Sequence, residues 1–302
     1  MTTVVEPGVR QRTLAKARVL LEALPYMREH YGRTVVVKLG GAAMSDPRLA
    51  DRFAEDIALL RMVGVRPVVV HGGGPQISAL SERLGLTPSF RDGHRVTDAE
   101  TLDVAKMVLV GKLNKDLVMH INRAGVPALG LCGDDGNLLV ARKRIGSAGE
   151  DLGFVGDVTA VNEELLLQLM DTAVPVIASI ATDGLGQSYN VNADLAGAAV
   201  AAGIHAAKFV LLTDVPGLIT DGELVSELTV DDVEALIADD SVSGGMIPKL
   251  ESIVRAMRGG VDRAHIVDGR VEHAVILELF TPEGMGTMVT HPVVLGDQEP
   301  EP

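Results

Sequence analysis

Two short stretches constrain this chain more than any other feature. Residues 34–41 read TVVVKLGG and residues 66–74 read RPVVVHGGG. Each is a largely β-branched apolar run that closes on Lys38-Leu39 or on His71 and then glycine. A strand covered on one face alternates apolar and polar residues, whereas a continuous apolar run marks a strand buried on both faces. Helical periodicity follows each run. Between Asp51 and Val63, the residues Phe53, Ile57 and Leu60 fall on one helix face, and Pro75 stands where a helix favours proline in its first turn. Two more continuous runs, VPVIASI (174–180) and KFVLLTDV (208–215), read as buried strands, and RAHIVD (263–268) is a final strand candidate. This alternation predicts an α/β fold with parallel strands and helices on both faces. Nothing resembles a repeat, a low-complexity tract or a Pro/Ser-rich linker, so one continuous sheet is expected rather than two independent domains.

The segments between these strands fill in the plan. Leu14, Ala17, Leu21 and Leu24 make an amphipathic helix of residues 10–31, ahead of the first strand. Residues 86–97 and 138–158 are rich in turn residues and read as hairpins or lids. Residues 98–124 form one long helix. NADLAGAAVAAGIHA is a helix of small residues that permits close packing, and a helix over 246–258 carries Ile247, Leu250, Val254 and Met257 on one face.

Composition excludes several functions. Of 302 residues, 47% are hydrophobic but only 3% aromatic, so the core is built from Val, Leu, Ile and Ala. The formal charge is -14, with a pI near 5.0, which argues against nucleic-acid binding but leaves room for a small anion held by a few focused cations. The single cysteine, Cys132, rules out an internal disulfide framework. No apolar run approaches the roughly 18 residues of a membrane span. No signal-peptide pattern is present, so a cytoplasmic protein is expected.

Several glycine-rich strand ends could carry chemistry. Lys38-Leu39-Gly40-Gly41 could offer backbone N–H groups and a mobile cation to a phosphate, or could be a tight strand-to-helix turn. His71-Gly72-Gly73-Gly74 lies where open α/β sheets bind ligands, and His71 could equally be a packed core histidine. In GHRVTD (93–98), Arg95 could grip a carboxylate or stand exposed. In YNVNAD (189–194), Asn190, Asn192 and Asp194 alternate along an extended stretch, where Asp194 could orient lysines or cap the following helix. SGGMIPKL (243–250) opens a helix suited to phosphate and places Lys249 in its first two turns. Two lysines and several glycine-rich ends in an acidic chain point to phosphoryl transfer. The Walker and dinucleotide glycine patterns are absent, as are HExxH, G-x-S-x-G and any metal-spaced Cys/His cluster.

The stretches VVVKLGG, VVVHGGGPQI, GHRVTD, YNVNAD, LLTDVPGL and GGMIPK, in this order, resemble the amino-acid kinase family over roughly residues 10–292. The resemblance implies a three-layer αβα sandwich around a mainly parallel sheet. It further implies a helical extension (1–31) before one kinase domain (32–302), with an acyl-amino-acid lobe over about 32–204 and a nucleotide lobe over about 205–302. The implied reaction is transfer from ATP, accompanied by Mg²⁺, to the side-chain carboxylate of N-acetyl-L-glutamate in arginine biosynthesis. By similarity, Lys38 and Lys249 stabilise the transition state and Asp194 orients them. Gly40, Gly41, Asp214 and Gly217 lie at the nucleotide and its phosphates. Gly73 and Gly74 hold the acyl substrate, Arg95 takes its α-carboxylate and Asn190 its acetamido group. No residue is assigned as a metal ligand. The N-terminal helix together with AHIVDGR…LELFTPEGMGT resembles the arginine-inhibited type of the family, a hexamer built as a trimer of dimers, with His265, Glu278 and Gly284 at the L-arginine site. The alternatives are another carboxylate or carbamate kinase of the family, and a non-catalytic small-molecule sensor on the same fold.

Overall fold

Along Thr34–Leu39 the side chains of Val35, Val37 and Leu39 enter one apolar layer and Val36 the other, and Arg66–His71 and Lys208–Thr213 divide in the same way. Successive strand side chains point to opposite faces, so a run with no polar alternation requires a cover on both. In a computed structural model those covers are helices. On one face lie Pro47–Met62, Asn114–Arg123 and Ala274–Phe280; on the other lie Glu163–Thr172, Ala193–Gly203, Val230–Ala238 and Met246–Arg258. The structure describes residues 7–40, 44, 46–91, 93–220, 222–239, 241–242, 244–282 and 284–292, with side chains from residue 14 onward.

The main sheet has eight strands in the order Glu227–Thr229, Thr287–Thr290, Arg263–Asp268, Lys208–Thr213, Thr34–Leu39, Arg66–His71, Val174–Ala178, Ala128–Cys132. From Arg263–Asp268 to Ala128–Cys132 every neighbour is parallel; Thr287–Thr290 pairs antiparallel with Arg263–Asp268. The mainly parallel, helix-flanked sheet is therefore as the sequence predicts. Register sets the strand ends side by side: Lys38 faces Val70 and Leu211, while Leu39 faces His71, which faces Ala178.

Four features depart from the sequence reading. The 174–180 run is two strands, not one. Val174–Ala178 belongs to the main sheet, and Ile180–Thr182 joins Leu139–Ile145, Asp151–Val161 and Ser188–Val191 in a closed ring of four strands. Ser179 is the pivot, since its N–H donates to His71 O at 3.2 Å and its carbonyl accepts from Val191 N at 3.1 Å. Both halves are buried, so the run stays apolar across the break and hydropathy carries no warning of it. The single expected sheet is thus an eight-stranded sheet plus this ring. Second, the helix at 98–124 is interrupted: Met107–Leu113 is π-helical between Ala99–Lys106 and Asn114–Arg123. Third, RAHIVD is not the last strand, because Thr287–Thr290 follows it. Fourth, the N-terminal helix Pro7–His30 docks by its last turns, where Tyr26 and Met27 meet the core and His30 stacks on Phe280 at 6.0 Å. The apolar positions Leu14, Leu21 and Leu24, expected on a packed face, are exposed on the single chain.

Candidate active site

The small-residue helix Ala193–Gly203 determines where the charges meet. Asn192 caps it, its Oδ1 accepting from Asp194 N at 2.8 Å and Leu195 N at 3.2 Å. The cap belongs to Asn192, which leaves the Asp194 carboxylate available for other partners. One turn later, Gly197 lies against the Lys38 strand. A Cβ there would sit 3.2 Å from Lys38 Cβ and 3.0 Å from the Phe209 ring, so glycine allows this approach without displacing either neighbour. Asp194 is thereby brought onto Lys38 Nζ in a direct ion pair, and Lys249, at the start of Met246–Arg258, reaches its other oxygen at 3.5 Å. Lys38 and Asp194 are buried, 7% and 6% exposed. Burial pushes the Asp194 carboxyl up, but Lys38 and then Lys249 outweigh it and hold it below the ordinary carboxylate range. Two cations thus flank one carboxylate at the carboxyl end of the central strands. Of Asn190, Asn192 and Asp194, only Asn190 lies on the strand Ser188–Val191, where the sequence suggested one extended stretch for all three.

The neighbouring loop uses glycine for closeness. A Cβ at Gly72 would stand 2.9 Å from Ala193 Cβ, and one at Gly73 would collide with Leu113 and Leu109 from the π-helical turn. His71 is a packed core histidine. Its Nδ1 donates to Gly72 O at 3.0 Å, its Nε2 accepts from Asn114 Nδ2 at 3.1 Å, and burial lowers its pKa to about 4. It is therefore neutral at pH 7, and its role is to hold the loop. Asn114 also donates to Val176 O at 2.8 Å, tying that loop to the next strand. Sequence reasoning missed Asn114 because nothing in a helical pattern reveals the π-helical residues that turn it inward.

Beside this loop opens a cavity of about 160 Å³, with Gly73, Gly74, Arg95, Leu109 and Asn190 in its wall. Arg95 comes from the hairpin Phe90–Arg91/His94–Arg95 and is 7% exposed. Its Nη2 donates to Gly74 O at 2.9 Å and to Ser78 Oγ at 2.8 Å, and its guanidinium carbon lies 4.7 Å from the centre of the Phe90 ring. Its Nη1 is buried with no hydrogen-bond partner in the protein. Arginine stays charged even where burial lowers its pKa, so this orphan donor calls for an anion. Asn190 Nδ2 donates to Thr97 Oγ1 at 3.3 Å, and Thr97 Oγ1 donates to Arg95 O at 2.8 Å. GHRVTD and YNVNAD are therefore joined by hydrogen bonds, with Thr97 the linking residue that sequence reasoning had not singled out.

On the other side of Lys38, a Cβ at Gly40 would lie 3.0 Å from Leu212 O, so this turn is pressed against the end of Lys208–Thr213. Gly41 lies outside the described residues. Asp214, directly after that strand, is exposed and accepts from Thr213 Oγ1 at 3.1 Å. Gly217 has φ 155°, and a Cβ there would stand 2.6 Å from Thr287 Oγ1 and from Leu224, so its packing accounts for glycine at that position. Neither residue contacts the Lys38–Asp194–Lys249 cluster through any described bond. Among the described residues no group of three or more His, Cys, Asp or Glu side chains gathers as a metal site. None of the described helices is long and apolar enough to cross a membrane.

His265, Glu278 and Gly284 meet in a second, larger cavity of about 420 Å³, which Tyr26 and Glu29 of the N-terminal helix also line. His265 Nδ1 and Glu278 Oε1 are 2.6 Å apart, and Glu278 Oε2 accepts from Met285 N at 2.6 Å. Burial pushes the Glu278 carboxyl up, but its bond to His265 outweighs this and leaves its pKa lowered. Burial lowers the pKa of His265.

Comparison with known proteins places the chain in a family. The acetylglutamate kinase of Symbiobacterium thermophilum is 50% identical over 289 residues, spanning 92% of this chain and 99% of its own. A solved N-acetylglutamate synthase from Neisseria gonorrhoeae, complexed with coenzyme A and N-acetyl-glutamate, superposes with a TM-score of 0.83 at 27% identity. That match covers 91% of this chain and 63% of the synthase. The same synthase complexed with coenzyme A and L-arginine superposes with a TM-score of 0.79 at 26% identity, over 91% of this chain and 65% of the synthase. Residues 33–268 match the amino acid kinase family, and with half of its sequence shared with a full-length relative, this chain is a kinase and belongs to that family.

Proposed function

We propose that this chain transfers the γ-phosphoryl group of ATP to the side-chain carboxylate of N-acetyl-L-glutamate, giving the acyl phosphate used in arginine biosynthesis. The observation that carries the reading is the pairing of a two-lysine clamp, built on the buried Lys38 and Asp194 and the half-buried Lys249, with a cavity in which a buried arginine donor lacks a partner. The name shared by the full-length relatives supports the choice of substrate. The nucleophile is a carboxylate, ionised at neutral pH, so no general base is required. Arg95 takes the α-carboxylate, Asn190 the acetamido group, and the N–H groups of Gly73 and Gly74 the reacting end. Lys38 and Lys249 neutralise charge on the transferring group from two sides, and Asp194 holds them in place. Gly40 and Gly41 approach the phosphates, and Asp214 and Gly217 belong to the nucleotide side. In this division residues 32–204 form the substrate lobe and 205–302 the nucleotide lobe. Mg²⁺ enters with ATP on its phosphates, with no protein ligand assigned.

ADP release measured with N-acetylglutamate, glutamate and aspartate tests this. Turnover of N-acetylglutamate alone is expected. Turnover only of a non-acetylated substrate would point to another kinase of the family, and none at all to a sensor.

A regulatory reading has its own support. His265, Glu278 and Gly284 share a cavity with the N-terminal helix, and the neighbouring synthase structure was solved with L-arginine. We read this cavity as an arginine site, with Glu278 meeting a cationic group. The exposed leucines of Pro7–His30 would interlace dimers into a hexamer, and the assembly would work in the cytoplasm. Millimolar arginine should raise the KM for N-acetylglutamate, and removing residues 1–28 should reduce a hexameric mass to that of dimers by light scattering.

A further inference from the structure

The aim of the Arg95 guanidinium is set by a residue outside every recognised stretch. Ser78 lies on Gly74–Arg83, the helix that opens at the glycine loop. Gly74 O and Ser78 Oγ stand four residues apart, on one face of the first helical turn, and both accept from the same nitrogen, Arg95 Nη2. A guanidinium is a rigid planar fork, so fixing one tine fixes the other. Arg95 Nη1 is the buried tine without a partner, and the arginine belongs to the cavity wall. The Phe90 ring restrains the same group from its face. Of the two acceptors, the Gly74 carbonyl is available whatever residue stands there, so the Ser78 hydroxyl is the one the sequence selects.

We propose that Ser78 is a positioning residue for substrate recognition: its hydroxyl fixes the Arg95 fork so that Nη1 presents to the carboxylate of the acyl amino acid. This rests on the reading of Arg95 as the α-carboxylate ligand. With only Gly74 O left as acceptor, the guanidinium keeps one hydrogen bond and the Phe90 contact but loses the second anchor that sets its tilt, and the bound carboxylate loses part of its alignment. The chemistry at the lysine clamp is untouched, so the loss falls on KM rather than kcat.

The test is a cycle of Ser78→Ala, Arg95→Ala and the double variant, assayed at saturating ATP. Ser78→Ala should raise the KM for N-acetylglutamate about tenfold, as loss of a hydrogen bond to a charged group does, with kcat within about twofold. In the Arg95→Ala background it should add nothing. The near-isosteric pair Ser78→Thr and Ser78→Val separates the hydroxyl from packing: Thr should stay near the wild-type KM and Val should not. Equal KM values for Thr and Val, a fall in kcat without a rise in KM, or an Ser78→Ala effect that persists in the double variant would each overturn the proposal. An unchanged KM in Ser78→Ala beside a raised KM in Arg95→Ala removes Ser78 and leaves the Arg95 reading standing. An unchanged KM in Arg95→Ala removes both.

Discussion

Replacing Asp194 by asparagine is the sharpest perturbation of the lysine clamp, because shape is kept and one charge is removed. Asp194 touches Lys38 Nζ through one oxygen and stands 3.5 Å from Lys249 Nζ through the other, with both Lys38 and Asp194 buried. At an effective dielectric near 20, a 3.5 Å pair attracts by about 5 kcal/mol before desolvation is counted. The substituted side chain would offer a neutral amide where the two cations need a carboxylate, and they would be left facing each other without a counter-charge. Removing one partner of a buried pair costs about 3–5 kcal/mol of stability, so the melting temperature should fall by several degrees. Misplacing two transition-state donors should cost kcat about 10²–10³-fold, the loss typical of one such donor. The acid limb should change as well. A carboxyl whose folded pKa is depressed stabilises the fold above its unfolded pKa and loses that contribution as the pH falls through the folded value. Asp194→Asn should therefore flatten the loss of stability in acid. Coupled ADP release and thermal melting against pH measure all three effects. A kcat within about threefold of wild type would refute the idea that Asp194 organises the lysines for transfer.

Lys38→Ala and Lys249→Ala should each lower kcat by on the order of 10²-fold or more in the same assay; near-normal turnover in either removes that lysine from the transition state. Glu278→Gln should weaken inhibition by arginine at least about tenfold, through loss of a charge-assisted bond; an unaltered inhibition curve counts against the arginine site. Asp56 is buried under the start of Ala274–Phe280, and burial raises its pKa to about 6 despite its bond to His273. Its folded form keeps a proton that the unfolded chain releases near pH 4, so this group makes the fold lose stability as the pH climbs from about 4 to 6, by roughly 3 kcal/mol. The melting temperature of Asp56→Asn relative to wild type should accordingly rise across that window, whereas parallel curves would show that Asp56 does not titrate there.

The sequence alone determined the parallel strands at the centre of the main sheet and their helical cover. Continuous β-branched runs call for a sheet covered on both faces, and their glycine endings mark the edge where a ligand can approach the backbone. Lys38, Lys249, Asp194 and Arg95 stood out as charged residues in or near turn- and glycine-rich stretches, but each also had a structural reading, and only the order of six such stretches, which resembles the amino-acid kinase family, gave them roles. Tertiary structure decided the rest. The break at Ser179, which divides one apolar run between two sheets, is invisible to hydropathy because both halves are buried. The π-helical turn that brings Leu109, Leu113 and Asn114 onto the glycine loop leaves the helical pattern intact to the eye. Gly197 reads as one small residue among many until the Lys38 strand is laid against it. Ser78 reads as an ordinary helix residue until the hairpin folds Arg95 over it. Local pattern reports which faces are buried, whereas the partner of a side chain more than a hundred residues away, as Lys38 is from Asp194, is set by how the layers close.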